Sequence, residues 1–127
     1  MSVRFAGYAA VFDIADRGGD VVRKGAFRAP GAVPLLWQHG GAPIGAVEWL
    51  EEDARGLRVI GRVDDPVLAA SLRDGGVTGL SFGYRARESR LGPAGRELLQ
   101  VALAEISLVA SPMQKLARVH AVAPVTD

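Results

Sequence analysis

Ser81 stands in Gly79-Leu80-Ser81-Phe82-Gly83, which fits the G-x-S-x-G pattern of serine nucleophiles. A serine hydroxyl attacks poorly at neutral pH and needs a base whose pKa lies near about 7, for which histidine is the natural choice. His39 closes the run Leu35-Leu36-Trp37-Gln38-His39 just before Gly40-Gly41. From there an imidazole can face a cleft, whereas the other histidine, His120, lies near the C-terminus. Glu105 interrupts the apolar stretch Leu103-Ala104-Glu105-Ile106-Ser107-Leu108-Val109. A carboxylate in such a stretch is costly to bury without a partner. It could hold an imidazole in one tautomer and stabilise the imidazolium, the third role in a catalytic triad. Each residue also has a plainer reading: an exposed strand serine, a hydrogen-bonded structural histidine, and a glutamate in a salt bridge with Arg85 or Arg87.

The elements that must position these residues follow from periodicity. Arg4 to Phe12 reads as a first strand, and Asp16-Arg17-Gly18-Gly19-Asp20 as a turn. Val21 and Val22 follow, with a short helical turn expected near Ala26-Phe27 and ended by Pro30-Gly31. Val33 to His39 is a continuous apolar run with a polar tip, as in a buried strand. Ile44 to Glu51 and Gly56 to Val63 are two further strands. In the second, Leu57, Val59 and Val63 share one face and Arg58 and Arg62 the other. Asp65 as cap, Pro66 at the first position and Gly75 or Gly76 as stop frame a helix, with Leu68 and Leu72 as its buried stripe. Gly79 to Arg87 alternates, placing Leu80, Phe82, Tyr84 and Ala86 opposite Ser81, Gly83, Arg85 and Arg87. This alternation passes through the serine motif with no helix after it, so the strand-to-helix elbow of the α/β-hydrolases is excluded. Glu97 to Ala110 is the longest strand, stopped by Pro112, and Lys115 to Val122 is a last one. About seven strands and one clear helix point to a mainly β (α+β) fold with a curved or barrel-like sheet.

The chain has 127 residues, which predicts a single domain spanning 1–127. A formal net charge of +1 is not the lopsided basic balance of a strong nucleic-acid binder, so no specific nucleic acid is expected. The absence of cysteine excludes disulfides and a thiolate nucleophile. With two distant histidines it leaves no zinc pattern, and no cofactor is called for. Asp13, Asp16 and Asp20 miss the calcium-loop spacing and read as a solvated turn. Arg85, Arg87, Arg90 and Arg96 gather on one hairpin, as a solvated face or a contact for an acidic partner. No segment is apolar enough to span a bilayer and the N-terminus lacks a signal core, so a soluble, intracellular protein is expected.

Four blocks in order carry a family likeness. Phe5-Ala6-Gly7-Tyr8-Ala9-Ala10-Val11-Phe12 with Gly19 to Phe27 resembles the opening of the prohead (capsid-maturation) serine proteases of tailed phages. Pro34-Leu35-Leu36-Trp37-Gln38-His39 with Pro43-Ile44-Gly45 resembles their histidine block, and Gly75 to Tyr84 their serine block. Glu105-Ile106-Ser107-Leu108-Val109 with Pro112 resembles their final strand. The chain departs from the pattern at Gly40, where many members have Asp, and at Gln114-Lys115, which replaces a more usual Asn-Pro.

The resemblance implies a fold like the herpesvirus maturation protease: a small closed or partly closed β-barrel with one to three flanking helices. It places His39 and Ser81 on the family's catalytic positions and Glu105 where the third member is expected, a role filled in the herpesvirus relatives by a second histidine. It implies an endopeptidase working in the bacterial cytoplasm, inside the assembling prohead. The expected substrate is the N-terminal segment of the major capsid (coat) protein or a scaffold, with a homo-oligomer as a further expectation and no membrane partner. A phage, a prophage or a gene transfer agent would be the source. A non-catalytic assembly protein on the same barrel and a small serine esterase are the alternatives. With His39 as base, activity should rise with pH through about 6 to 7.5 as imidazole deprotonates.

Overall fold

A computed structural model describes residues 1–126. Eight strands and one helix follow one another along the chain: β1 (Val3–Val11), β2 (Asp20–Val22), β3 (Leu35–Trp37), β4 (Gly45–Glu52), β5 (Gly56–Val63), α1 (Pro66–Asp74), β6 (Gly79–Gly92), β7 (Gly95–Val109) and β8 (Val119–Pro124). The alternation in β5 does what its sequence requires: Leu57, Val59 and Val63 are fully buried while Arg58 is exposed. The same strand joins β4 and β1 in an antiparallel sheet of order β4-β5-β1-β8.

The second sheet is built around β7. β6 pairs antiparallel along almost the whole of β7. β2 and β3 both run parallel to β7, at opposite ends of the edge that β6 leaves free. Between the sheets lies the core, in which Phe5, Leu35, Leu57, Leu80, Leu98, Ile106 and Leu108 are all essentially inaccessible. The strands thus form two four-stranded sheets, and the fold is mainly β with one helix.

That helix starts where Asp65 caps it, its side chain accepting from Leu68 N–H at 3.0 Å, with Pro66 at the first position. It stops at Gly75, whose φ of 77° suits a residue without Cβ. Its buried stripe is Ala69 and Leu72, with Leu68 only partly covered.

Three local expectations are corrected. The segment around Ala26-Phe27 is a turn and not helical, because the Glu52 carboxylate takes the amides of Gly25 and Phe27 at 2.8 and 2.9 Å. The strand expected over 33–39 is cut to Leu35–Trp37, since Gln38 and His39 adopt left-handed backbone. The last strand begins at Val119 and not at Lys115, because Ala117 N–H turns back onto Gln114 C=O.

Candidate active site

Ser81 and Gly83 lie on β6 directly across from Ser107 and Glu105 of β7. Directly opposed residues of an antiparallel pair project to the same side, so these four share one face. The residues between them, Leu80 opposite Leu108 and Phe82 opposite Ile106, turn to the core. The register shifts between Gly83 and Tyr84, leaving Ala104 as an extra residue of β7. Leu103 therefore pairs with Tyr84 and packs on the core, while Glu105, two residues on, faces the other way. Re-aiming a side chain is a common use of a bulge. Gly83 supplies the room: a Cβ there would stand 2.3 Å from Glu105 Oε1.

The parallel pairing of β3 with β7 sets Leu36 beside Ser107. Gln38 and His39 then leave the ladder with φ of 53° and 62°. Left-handed backbone costs a non-glycine residue about 1 to 3 kcal/mol, and three hydrogen bonds hold it here. Gln38 N–H donates to Leu108 C=O at 2.9 Å, Ala110 N–H to Gln38 Oε1 at 2.6 Å, and Gly40 N–H to Trp37 C=O at 3.1 Å. The turn swings the imidazole back over β7, where His39 Nδ1 lies 2.5 Å from Glu105 Oε1. Glu105 Oε2 accepts from the Ser107 hydroxyl at 2.6 Å, and Ser107 Oγ accepts from His39 N–H at 3.1 Å. With Nδ1 engaged, Nε2 is the ring nitrogen left for other work. The carboxylate sits deep, its side chain 11% exposed, while the imidazole at 42% reaches solvent.

Ser81 is 7% exposed. Its hydroxyl has no hydrogen-bonded partner among the described residues, and none joins it to the His39 ring. It lines a cleft of about 20 Å³ with Asp16, Asp20, Met113, Gln114 and Ala117, room for about one water-sized group. Gln114 is committed to structure: its side-chain amide donates to Val11 C=O at 2.7 Å and Ile14 C=O at 3.0 Å, and its Oε1 accepts from Val11 N–H at 2.5 Å.

Of the residues read as chemical from sequence, the structure joins His39 to Glu105 and sets Ser81 on the same face. Neither Arg85 nor Arg87 pairs with Glu105; Arg90 is bound to Glu97 and Arg96 to Asp20. His120 stacks edge-on against Tyr8 at 5.5 Å, away from the site. Asp16 caps its own turn, accepting from Gly18 and Asp20 amides, and Asp13 pairs with Arg23. The hydrogen bond from Arg96, aided by one from Tyr84, holds the Asp20 carboxyl below the usual aspartate range. Sequence reasoning passed over Ser107 and Gly83 as parts of the site. The signal for Ser107 was its place two residues from Glu105; Gly83 was marked only as the last glycine of the serine motif, with nothing to say that Glu105 would fill the space beside it.

Residues 1–126 match the family described as Caudovirus prohead serine protease. The chain is 32% identical, over 92% of its length, to the prohead protease of Enterobacteria phage HK97, and spans only 59% of that relative. Among solved structures, the KSHV protease in complex with a hexapeptide phosphonate inhibitor resembles it with a TM-score of 0.65 at 14% identity, covering 98% of this chain and 66% of that one. The varicella-zoster virus protease follows with a TM-score of 0.62 at 15% identity, over 94% of this chain and 64% of the other. These two likenesses make the fold herpesvirus-protease-like.

Proposed function

We propose, from the premise that this chain belongs to the Caudovirus prohead serine protease family, that it is a serine endopeptidase of capsid maturation. Its substrate is the coat protein's N-terminal segment or a scaffold protein, cleaved inside the assembling prohead in the bacterial cytoplasm. The observation that carries this reading is the His39–Glu105 pair, seated on the same strand-pair face as Ser81.

In the mechanism, His39 Nε2 removes the proton from Ser81 Oγ as the oxygen attacks the scissile carbonyl. Glu105 fixes the ring through Nδ1 and stabilises the imidazolium that forms. The imidazolium then protonates the leaving amine, and water, activated by the same nitrogen, releases the acyl group. The Ser81–His39 hydrogen bond this requires forms in the substrate complex; such bonds are often long in free enzymes and tighten on binding. Hydrogen bonds at both seams between the sheets support a partly closed barrel as the frame. Leu80 N–H donates to Ala117 C=O at 3.0 Å, Val119 N–H to Thr78 C=O at 2.8 Å, and Ile44 N–H to Leu35 C=O at 2.9 Å.

The test is co-expression of coat protein with the parent chain or with Ser81→Ala, followed by mass spectrometry of the coat protein. Cleavage should vanish in the variant, along with covalent labelling of Ser81 by a fluorophosphonate, while the circular dichroism spectrum stays the same. Cleavage that persists with purified Ser81→Ala ends the proposal. Rapid turnover of simple esters with intact coat protein would make the chain an esterase instead.

A further inference from the structure

Ser107 is fully buried, yet its hydroxyl is used twice. It donates to Glu105 Oε2 at 2.6 Å and accepts from the main-chain N–H of His39 at 3.1 Å. One oxygen therefore touches both the carboxylate and the backbone of the histidine that the carboxylate holds, tying strand β7 to a turn 68 residues earlier in the chain. We infer that Ser107 is a positioning residue of the catalytic site, fixing the His39–Glu105 pair in the geometry Ser81 needs. This rests on the reading of those three residues as the catalytic set.

The physical argument concerns the degrees of freedom that remain without it. A glutamate has three side-chain torsions, and one bond from Nδ1 to Oε1 cannot fix them all. The bond from Ser107 to Oε2 holds the other oxygen, so the carboxylate plane is set at both ends. The His39 N–H bond acts on the left-handed turn itself, where the backbone is strained and a local donor would otherwise be unpaired. Placement in β7 directly opposite Ser81 adds a third constraint, since it fixes the distance from this anchor to the nucleophile's strand. A serine hydroxyl can donate once and accept with its lone pairs; here the donated and the accepted bond both go to groups of the same site.

The test compares the parent chain with Ser107→Ala, Ser107→Thr and Ser107→Val. Thr and Val have nearly the same shape and differ by the hydroxyl, so the comparison survives even if the Ala variant folds poorly. Cleavage kinetics on one coat-derived peptide are read beside the low-field imidazole N–H resonance of His39 by proton NMR. The resonance is taken in a Ser81→Ala background, where no cleavage occurs. Ser107→Ala and Ser107→Val should lose about 10- to 100-fold in kcat, as expected for a small misplacement of a catalytic group, with KM near that of the parent. Both should lose or broaden the resonance, and Ser107→Thr should restore both readouts. Equal kcat and an intact resonance in Thr and Val variants would overturn the inference. A parent chain that cleaves nothing would instead refute the protease reading, so the two failures are distinguishable.

Discussion

At the scale of single residues, the site depends on a side chain that is missing. Gly83 leaves open the volume that the Glu105 carboxylate fills. Gly83→Ala should therefore push Glu105 aside and break its bonds to His39 and Ser107, at a cost of about 1 to 3 kcal/mol for the buried polar groups left unpaired. Cleavage should fall by about 100-fold, with a lowered but still cooperative thermal unfolding transition by circular dichroism. Glu105→Gln should keep the shape and remove the charge beside His39, which in the proposed mechanism stabilises the imidazolium. Its kcat should drop and its KM should hold, which steady-state kinetics on a coat-derived peptide will show. The types of all three candidate catalytic residues were legible in the sequence, since a serine, a histidine and a lone glutamate in apolar surroundings stand out. The space at Gly83 and the double use of Ser107 were not, because both are properties of a neighbouring strand.

Among the elements, the helix and β5 were readable for opposite reasons. The helix announces its ends through Asp65, Pro66 and Gly75, and Asp65→Ala should cost about 1 kcal/mol of stability in urea unfolding by removing the bond to Leu68 N–H. β5 announces its faces by alternation. What escaped a local reading was tertiary in origin. Glu52, far along the chain, captures the amides at Gly25 and Phe27 and prevents a helical turn there. β3 ends early because Leu108 and Ala110 of the neighbouring strand segment hold Gln38 in a conformation its own sequence does not favour. The bulge at Ala104 decides which way Glu105 points, and alternation within one strand cannot reveal a shift in its partner's register.

For the whole molecule, the carboxylates that fasten β2, β6 and β7 contribute to the response to acid, beside Glu48, Asp53 and Asp64, whose pKa values are lowered too. Arg96 draws the Asp20 carboxyl down, and Arg23 with Arg90 does the same for the nearly inaccessible Glu97. A group whose folded pKa is lowered stabilises the fold fully above its unfolded value and loses that contribution as pH falls through the folded one. The unfolded values are about 3.9 for aspartate and 4.3 for glutamate. The urea midpoint should hold on the neutral side and fall once pH drops below about 4, and Asp20→Asn should make that fall shallower. Among the described residues no helix is long and apolar enough to cross a membrane.

The edge of β7 that receives both β2 and β3 has a consequence for the order of events in the cell. A ribosome releases His39 a full 66 residues before Glu105 and 68 before Ser107, so until β7 emerges the imidazole has no carboxylate to hold it. The His39–Glu105 pair therefore assembles only once β7 has slotted between β6 on one side and β2 and β3 on the other, all of them made before it.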